Sequence, residues 1–499
     1  MKVFLLFKDR DFDLETPLPA NEQDLVQDLE LDVLLKTMAS GDEYLYQAAK
    51  TVLLNGLQDA EAIRYRQEVL KDALKNPSVV RELYRLAEEA LDRKKRGWYG
   101  IYGHFPSSVL HGSLEMVQML TELLKKLKDI ADQQVDQFNS EGFVSFFRRL
   151  QQELHEAYLA EIADHLKALR FQDGILISAA LGRGNEGTDY LLRKPLESRK
   201  GWLKRIFPSK GACYSFSIHP RDEAGVKALE NLRNRGIGKV ANVLAQSADH
   251  LDGFFKRLRA ELAFYVGALN LYEELVRLGG AVCFPQPAPP KERKHSAQGL
   301  YDIGLFLTMR DTVVGNDFEA DGKDCVVITG ANQGGKSTFL RSIGLAQLMM
   351  QSGLFVPAAS FRADCSRGIF THFKREEDLT LKRGKLDEEL SRMSKMVDLL
   401  RPHALMLFNE SFAATNEREG SEIARQISAA LLEKGVKIFY VTHQYAFAHW
   451  VYENRKEKTL FLRAERKDDG TRTFRLIEGP PLPTSHGEDL YGKLFGPEH

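Results

Sequence analysis

The run Cys325-Val326-Val327-Ile328-Thr329-Gly330-Ala331-Asn332-Gln333-Gly334-Gly335-Lys336-Ser337-Thr338 decides the fold. Its first five residues are apolar or β-branched, the composition of a short buried strand. Gly330 to Ser337 then matches G-x-x-x-x-G-K-[ST], and a helical segment from Thr338 to Met350 follows at once. Strand, glycine-rich loop and helix in this order make a phosphate cradle. The glycines let backbone N–H groups curl around an anion at the positive end of the helix. The reading assigns Gly330, Ala331, Asn332, Gln333, Gly334, Gly335, Lys336, Ser337 and Thr338 to nucleotide binding. Lys336 is expected to neutralise the β- and γ-phosphates of ATP, and the Ser337 hydroxyl to ligate Mg²⁺.

Two further strands lie downstream. Ala404-Leu405-Met406-Leu407-Phe408 ends in Asn409-Glu410, an apolar strand capped by groups that can serve a metal and an attacking water. Asn409 stands where an Asp is usual for the metal; an amide keeps an acceptor oxygen and loses the charge. Glu410 is the candidate general base. Lys437 to Val441 runs into Thr442-His443-Gln444, and a His at the C-terminal end of such a strand can sense the γ-phosphate or orient water. Short apolar runs alternating with helices give this half an α/β character.

The upstream half reads as helical. Leu120, Leu123, Leu124 and Leu127 form one stripe; Phe147, Leu150, Leu154, Tyr158, Ile162, Leu166 and Leu169 form another with no Pro or Gly inside, which predicts one long helix. A third helix is predicted from about Val240 to Leu278, stopped by Gly279-Gly280. Around residues 171–222 the pattern breaks. There Arg193, Lys194, Arg199, Lys200, Lys204 and Arg205, with Trp202 and Phe207 interleaved, are candidate DNA contacts by charge and stacking. The Pro-rich, charged segment FPQPAPPKERKHS predicts a linker. The expected organisation is an N-terminal extension over 1–24 and a helical core and lever region over 25–283, with a partial clamp near 171–222. A linker over 284–297 and a nucleotide-binding domain over 298–499 complete it. The fold class is α plus α/β, multidomain.

Composition sets bounds. In 499 residues, 69 Lys and Arg balance 70 Asp and Glu, which excludes a uniformly basic nucleic-acid coat and leaves room for a local patch. Cys213, Cys283, Cys325 and Cys365 are far apart with no C-x-x-C pair, against a disulfide framework or Cys-rich zinc site. The uncharged stretch from Ser342 to Phe361 is interrupted by Gln, Ser, Gly and Pro, unlike a membrane span of ~20 apolar residues. The expectation is a soluble cytoplasmic protein with no membrane partner.

Taken together, these segments resemble the MutS family of DNA mismatch-repair ATPases. ITGANQGGKSTFLRSIGLAQLMMQSGLFVPA resembles its phosphate loop, helix and Val-Pro-Ala turn; GIFTHFKREEDL, LMLFNESFAATNEREGSEIA, VTHQYAFA and TFRLIEGPPLPTSHGEDLYGKLFG resemble the segments that follow in the same order. GLQDAEAIRYRQEVLKDALKNPSVVREL resembles the start of its helical core. The resemblance implies an ABC-type ATPase domain working as a homodimer with ATP and Mg²⁺. It also implies DNA as partner, alongside repair or recombination proteins, and closure of levers coupled to nucleotide state. Departures shape the expectation. The family's mismatch-reading and connector domains have no counterpart here, so structured or branched DNA is expected over mismatches. Gly384-Lys385-Leu386-Asp387-Glu388-Glu389 stands where the family's trans-acting Ser-Thr-Phe signature falls, and with Asn409 this points to slow or differently gated hydrolysis. There is little chain after Leu494 for the family's dimerisation tail, and a Smr-type nuclease tail is absent. Two alternatives stay open: a weakly hydrolysing ATP-gated switch or scaffold that recruits protein partners, and an ABC-type ATPase with a non-DNA target.

Overall fold

The computed structural model describes residues 1–96, 105–172, 174–194, 214–375, 384–467 and 471–482. The helical half holds α1 (Glu22–Asp28), α2 (Leu31–Ala39), α3 (Glu43–Leu54), α4 (Ala60–Lys75), α5 (Pro77–Arg96), α6 (Pro106–Gln134), α7 (Glu141–Glu153) and α8 (Glu156–Ala168). The hairpin strands β1 (Leu176–Leu181) and β2 (Gly187–Arg193) come next, then the 55-residue helix α9 (Glu223–Arg277). There follow β3 (Gln286–Ala288), β4 (His295–Leu300), α10 (Ile303–Met309), β5 (Asn316–Glu319), β6 (Cys325–Thr329), α11 (Lys336–Gln351), β7 (Ser360–Asp364) and β8 (Ile369–Phe373). The chain continues through α12 (Lys385–Leu399), β9 (Leu405–Asn409), α13 (Glu417–Glu433), β10 (Lys437–Val441), α14 (Tyr445–Arg455), β11 (Thr459–Arg466) and β12 (Arg472–Glu478). It is a helical protein with mixed α/β sheets.

Two compact units divide the chain. The first, residues 1–3, 82–137 and 145–259, is helical apart from the antiparallel β1–β2 hairpin. Helix α6 buries Leu120, Leu123, Leu124, Leu127 and Ala131 along the stripe its spacing predicts. The single helix expected across residues 147–169 is broken. At His155 the backbone turns extended (ψ 153°), and the His155 ring nitrogen accepts from the Tyr158 N–H at 3.0 Å, starting α8 afresh. A histidine acting as N-cap leaves no Pro or Gly signature, so periodicity alone runs straight through it. Strand β1 of that hairpin is mostly exposed.

The second unit comprises residues 4–81, 138–144 and 260–499. Its larger sheet runs in the order β12-β11-β6-β10-β9-β8, parallel except for β12. Strands β6, β8 and β10 are buried at every position, which is why they read as continuous apolar runs rather than alternating ones. Helix α11 buries nearly its whole length, including Phe339, Leu340, Ile343, Leu345, Leu348 and Met349. The uncharged stretch that begins in it is thus explained by a protein core. Among the described residues no helix is long and apolar enough to cross a membrane.

Two segments do more than their composition suggests. The Pro-rich piece 284–297 is no free connection: Gln286–Ala288 is an edge strand parallel to β7, and β4 begins at His295. Prolines lack the donor a central strand needs, so the edge is where such a strand fits. The carbonyls of Pro285 and Pro287 accept from Gln67 and Arg64 at 3.0 and 3.1 Å. Likewise residues 4–12, read as part of an extension, bury Leu5, Leu6 and Phe12. The buried Glu261 carboxylate accepts from the N–H groups of Leu5, Leu6 and Phe12 at 2.5, 2.9 and 3.0 Å. Burial raises the Glu261 pKa to about 7, against the opposing pull of those donors. Arg66, also fully buried, donates to the carbonyls of Leu6 and Ser352, each at 3.1 Å, over the Phe7 ring.

Candidate functional site

Three strands of the larger sheet end at one edge: β6 in Gly330, β9 in Asn409-Glu410 and β10 in Thr442-His443. The loop after β6 needs glycine at its first position. Gly330 has φ +111°, and a Cβ there would lie 2.9 Å from the Ala464 nitrogen on β11. The loop from Gly330 to Gly335 brings the chain to the N-terminus of α11, where Lys336, Ser337 and Thr338 form the first turn. Lys336 is buried and folds back on the loop, its Nζ donating to the carbonyls of Gly330 (2.8 Å) and Ala331 (2.9 Å). Burial pulls its pKa below the usual lysine value, while Glu410 pushes the other way.

The Ser337 hydroxyl donates to Asn409 Oδ1 at 2.9 Å. Sequence reasoning paired these two residues as metal ligands, and they meet side to side across the sheet edge. The oxygens are hard and neutral, suited to Mg²⁺ that brings its charge balance from phosphates. Among the described residues no group of three or more His, Cys, Asp or Glu could hold a metal by itself. Glu410 sits one residue on, at φ +52°, its N–H donating to the Val441 carbonyl at 2.9 Å. A non-glycine residue in this left-handed region carries ~1–3 kcal/mol of strain and persists only where its surroundings fix it. His443 Nδ1 lies 4.0 Å from Glu410 Oε2. The two are thus neighbours at the rim of the same edge, both part-exposed.

The segment after Glu410 is clamped from several sides. Gln444 Nε2 donates to the Phe412 carbonyl (3.1 Å) and Tyr440 to the Ser411 carbonyl (3.2 Å). Helix α13 comes so near that a Cβ on Gly420 would lie 2.4 Å from the Phe412 oxygen and 2.6 Å from Gln444 Nε2. Gly420→Ala is therefore expected to lower stability by ~1–3 kcal/mol through overpacking, measured as the shift in denaturation midpoint. A variant as stable as the parent would mean that α13 can slide without cost.

A cavity of about 460 Å³ adjoins the loop, lined by Leu305, Met309, Gln333, Thr338, Phe339 and Phe474. Its volume and apolar walls suit a planar base. Sequence reasoning missed it: α10, α11 and the β11–β12 hairpin supply its walls, and only the assembled sheets bring them together. The hairpin also braces the loop, with Arg472 Nη1 donating to Gln333 Oε1 at 2.5 Å. Of the candidate DNA contacts, Arg193 ends β2 and Lys194 follows it, both exposed in the other unit; Arg193 donates to the Ser178 hydroxyl at 2.8 Å. Arg199, Lys200, Lys204 and Arg205 lie outside the described residues.

Residues 58–278 match the family model for the MutS2 N-terminal domain, and residues 326–492 match that for MutS domain V. The DNA mismatch repair protein MutS of Thermotoga neapolitana is 31% identical over 208 residues, covering 41% of this chain and 26% of that protein. Endonuclease MutS2 of Lacticaseibacillus casei is 28% identical over 275 residues, 54% of this chain and 34% of its own length. Endonuclease MutS2 of Thermus thermophilus is 30% identical over 219 residues, 43% of this chain and 28% of its own. The chain thus matches between 26% and 34% of the length of these relatives. With family models matched in both its helical and its α/β halves, in the order the MutS resemblance requires, this chain belongs to the MutS family.

Proposed function

We propose that the protein binds ATP with Mg²⁺ at this edge, hydrolyses it as a homodimer, and couples nucleotide state to clamping on DNA in mismatch repair or recombination. The observation that carries the reading is the meeting of Ser337 and Asn409 at 2.9 Å beside Glu410 and His443, at the mouth of a Gly-Lys-Ser loop. In this reading the loop amides and Lys336 take the phosphates, and the apolar cavity takes the base. Ser337 and Asn409 would hold Mg²⁺, which would supply charge neutralisation when bound. Glu410 accepts the proton of the attacking water, and His443 orients it or senses the γ-phosphate. DNA as partner is supported by the family and by the names of the relatives. Arg193 and Lys194 are the described candidates for phosphate contact, and structured or branched DNA is the proposed ligand.

Steady-state Mg-ATPase rates without DNA and with homoduplex, mismatched and branched DNA test the whole. Stimulation is expected, greatest with branched DNA. A rate indifferent to every DNA despite tight ATP binding removes the clamp reading.

A second reading, the weakly hydrolysing ATP-gated switch, is favoured by one feature. The residue facing Ser337 is a neutral amide, so this position adds no charge to hold the cation. Asn409→Asp is then expected to lower the Mg²⁺ needed for half-maximal turnover by about fivefold. That is the ~1 kcal/mol by which a contact to a charged group exceeds one to a neutral group. An identical Mg²⁺ titration in the variant would take Asn409 away from the metal.

A further inference from the structure

Helix α12 grips the far side of the turn that carries Glu410. Glu389, in the second turn of α12, is buried, and its Oε2 accepts from the backbone N–H of Phe412 at 2.7 Å. Phe412 is two residues after Glu410 and itself has φ +61°. The same stretch of helix reaches β8 as well. The His372 ring donates from Nε2 to the Glu389 carbonyl at 3.1 Å, and its Nδ1 lies 2.8 Å from the Ser411 hydroxyl, which donates to the His372 carbonyl at 2.5 Å. Burial pulls the His372 pKa down to about 4, so the ring is neutral near pH 7. The Phe412 ring stacks on that imidazole at 5.1 Å, and Arg392, one turn further along α12, donates to the Phe373 carbonyl at 3.1 Å.

Glu410 is therefore the first of two closely spaced left-handed corners of backbone. The first is its own, tied to β10 through the Val441 carbonyl; the second is at Phe412, tied to α12 through the Glu389 carboxylate. A strained turn held at both ends reports the position of whatever holds it. We infer that Glu389 is a positioning residue for Glu410, fixing the catalytic carboxylate through the Phe412 N–H so that the placement of α12 regulates turnover. The inference rests on the ATPase reading and concerns the regulation of that same site.

The test compares kcat, KM and ATP affinity of the full chain in the wild type, Glu410→Gln, Glu389→Ala and Glu389→Gln. Glu389→Ala is expected to lower kcat by about tenfold to 10²-fold, the cost of a misplaced reacting group, with ATP affinity unchanged. Glu389→Gln, whose amide oxygen can still accept from Phe412, is expected to recover most of that loss. Full kcat in Glu389→Ala overturns the inference. So does a parallel loss of kcat, ATP affinity and melting temperature, which marks a merely structural role, or a Gln variant as slow as the Ala variant. A wild type that binds ATP without turning it over, or a Glu410→Gln variant that still turns over, removes the ATPase reading and this inference with it. An active wild type with an indifferent Glu389→Ala removes this inference alone.

Discussion

Glu410→Gln is expected to bind ATP as the parent does and to turn it over at least ~10² times more slowly, the usual share of a positioned base. The substitution changes almost nothing but chemistry. Amide and carboxylate are nearly isosteric, the bond from the residue 410 N–H to the Val441 carbonyl survives, and Ser337 keeps Asn409 as its partner. What disappears is the lone pair that takes the proton from water, and the negative charge beside His443. Phosphate release measured against equilibrium binding of labelled ATP separates the two effects. Unaltered turnover would transfer the role of base to another group. Weakened ATP binding with unaltered turnover would make Glu410 a ligand rather than a base.

Lys336→Ala is expected to cost about 2–5 kcal/mol of ATP binding, the penalty for truncating one member of a close, desolvated charge pair. The lysine has two jobs in sequence. Without nucleotide its ammonium is buried against the carbonyls of Gly330 and Ala331, with the charge of Glu410 favouring its protonated form. With nucleotide it must leave those carbonyls for phosphate oxygens. The alanine variant loses both, so its loop is looser before ATP arrives as well as weaker after. Equilibrium titration with labelled ATP checks the first effect, and amide exchange over the loop checks the second. An affinity equal to that of the parent would mean the phosphates sit elsewhere.

The parts that sequence made legible are those whose signal is contiguous. Strand β6, the loop and α11 follow one another without a gap, and β9 and β10 are unbroken apolar runs ending in polar residues. Their shared sheet edge follows from parallel pairing, which puts all C-terminal ends together. The less legible features depend on partners distant in sequence or on backbone atoms with no side-chain identity. Glu389 and Phe412 are joined by a bond from a main-chain N–H, and Glu261 binds three such groups 249 to 256 residues away. No residue pattern announces an acceptor whose donor is a peptide. The same holds for His155, whose ring accepts from a main-chain N–H to start α8.

The discontinuity of the nucleotide-side unit has a consequence for how the chain comes into being. Its pieces are residues 4–81, 138–144 and 260–499, so most of the helical unit is inserted in its primary sequence as two stretches, 82–137 and 145–259. Leu5 must wait for Glu261, 256 residues behind it on the ribosome. At ~5–20 residues per second this is a delay of roughly ten to fifty seconds. For that interval residues 4–12 lack the Glu261 carboxylate, while residues 82–137 and 145–259 are already out and able to collapse on their own stripes. Assembly is nested: the inserted piece comes first, and the unit that holds the Gly-Lys-Ser loop is finished last, with its earliest residues among the last to settle.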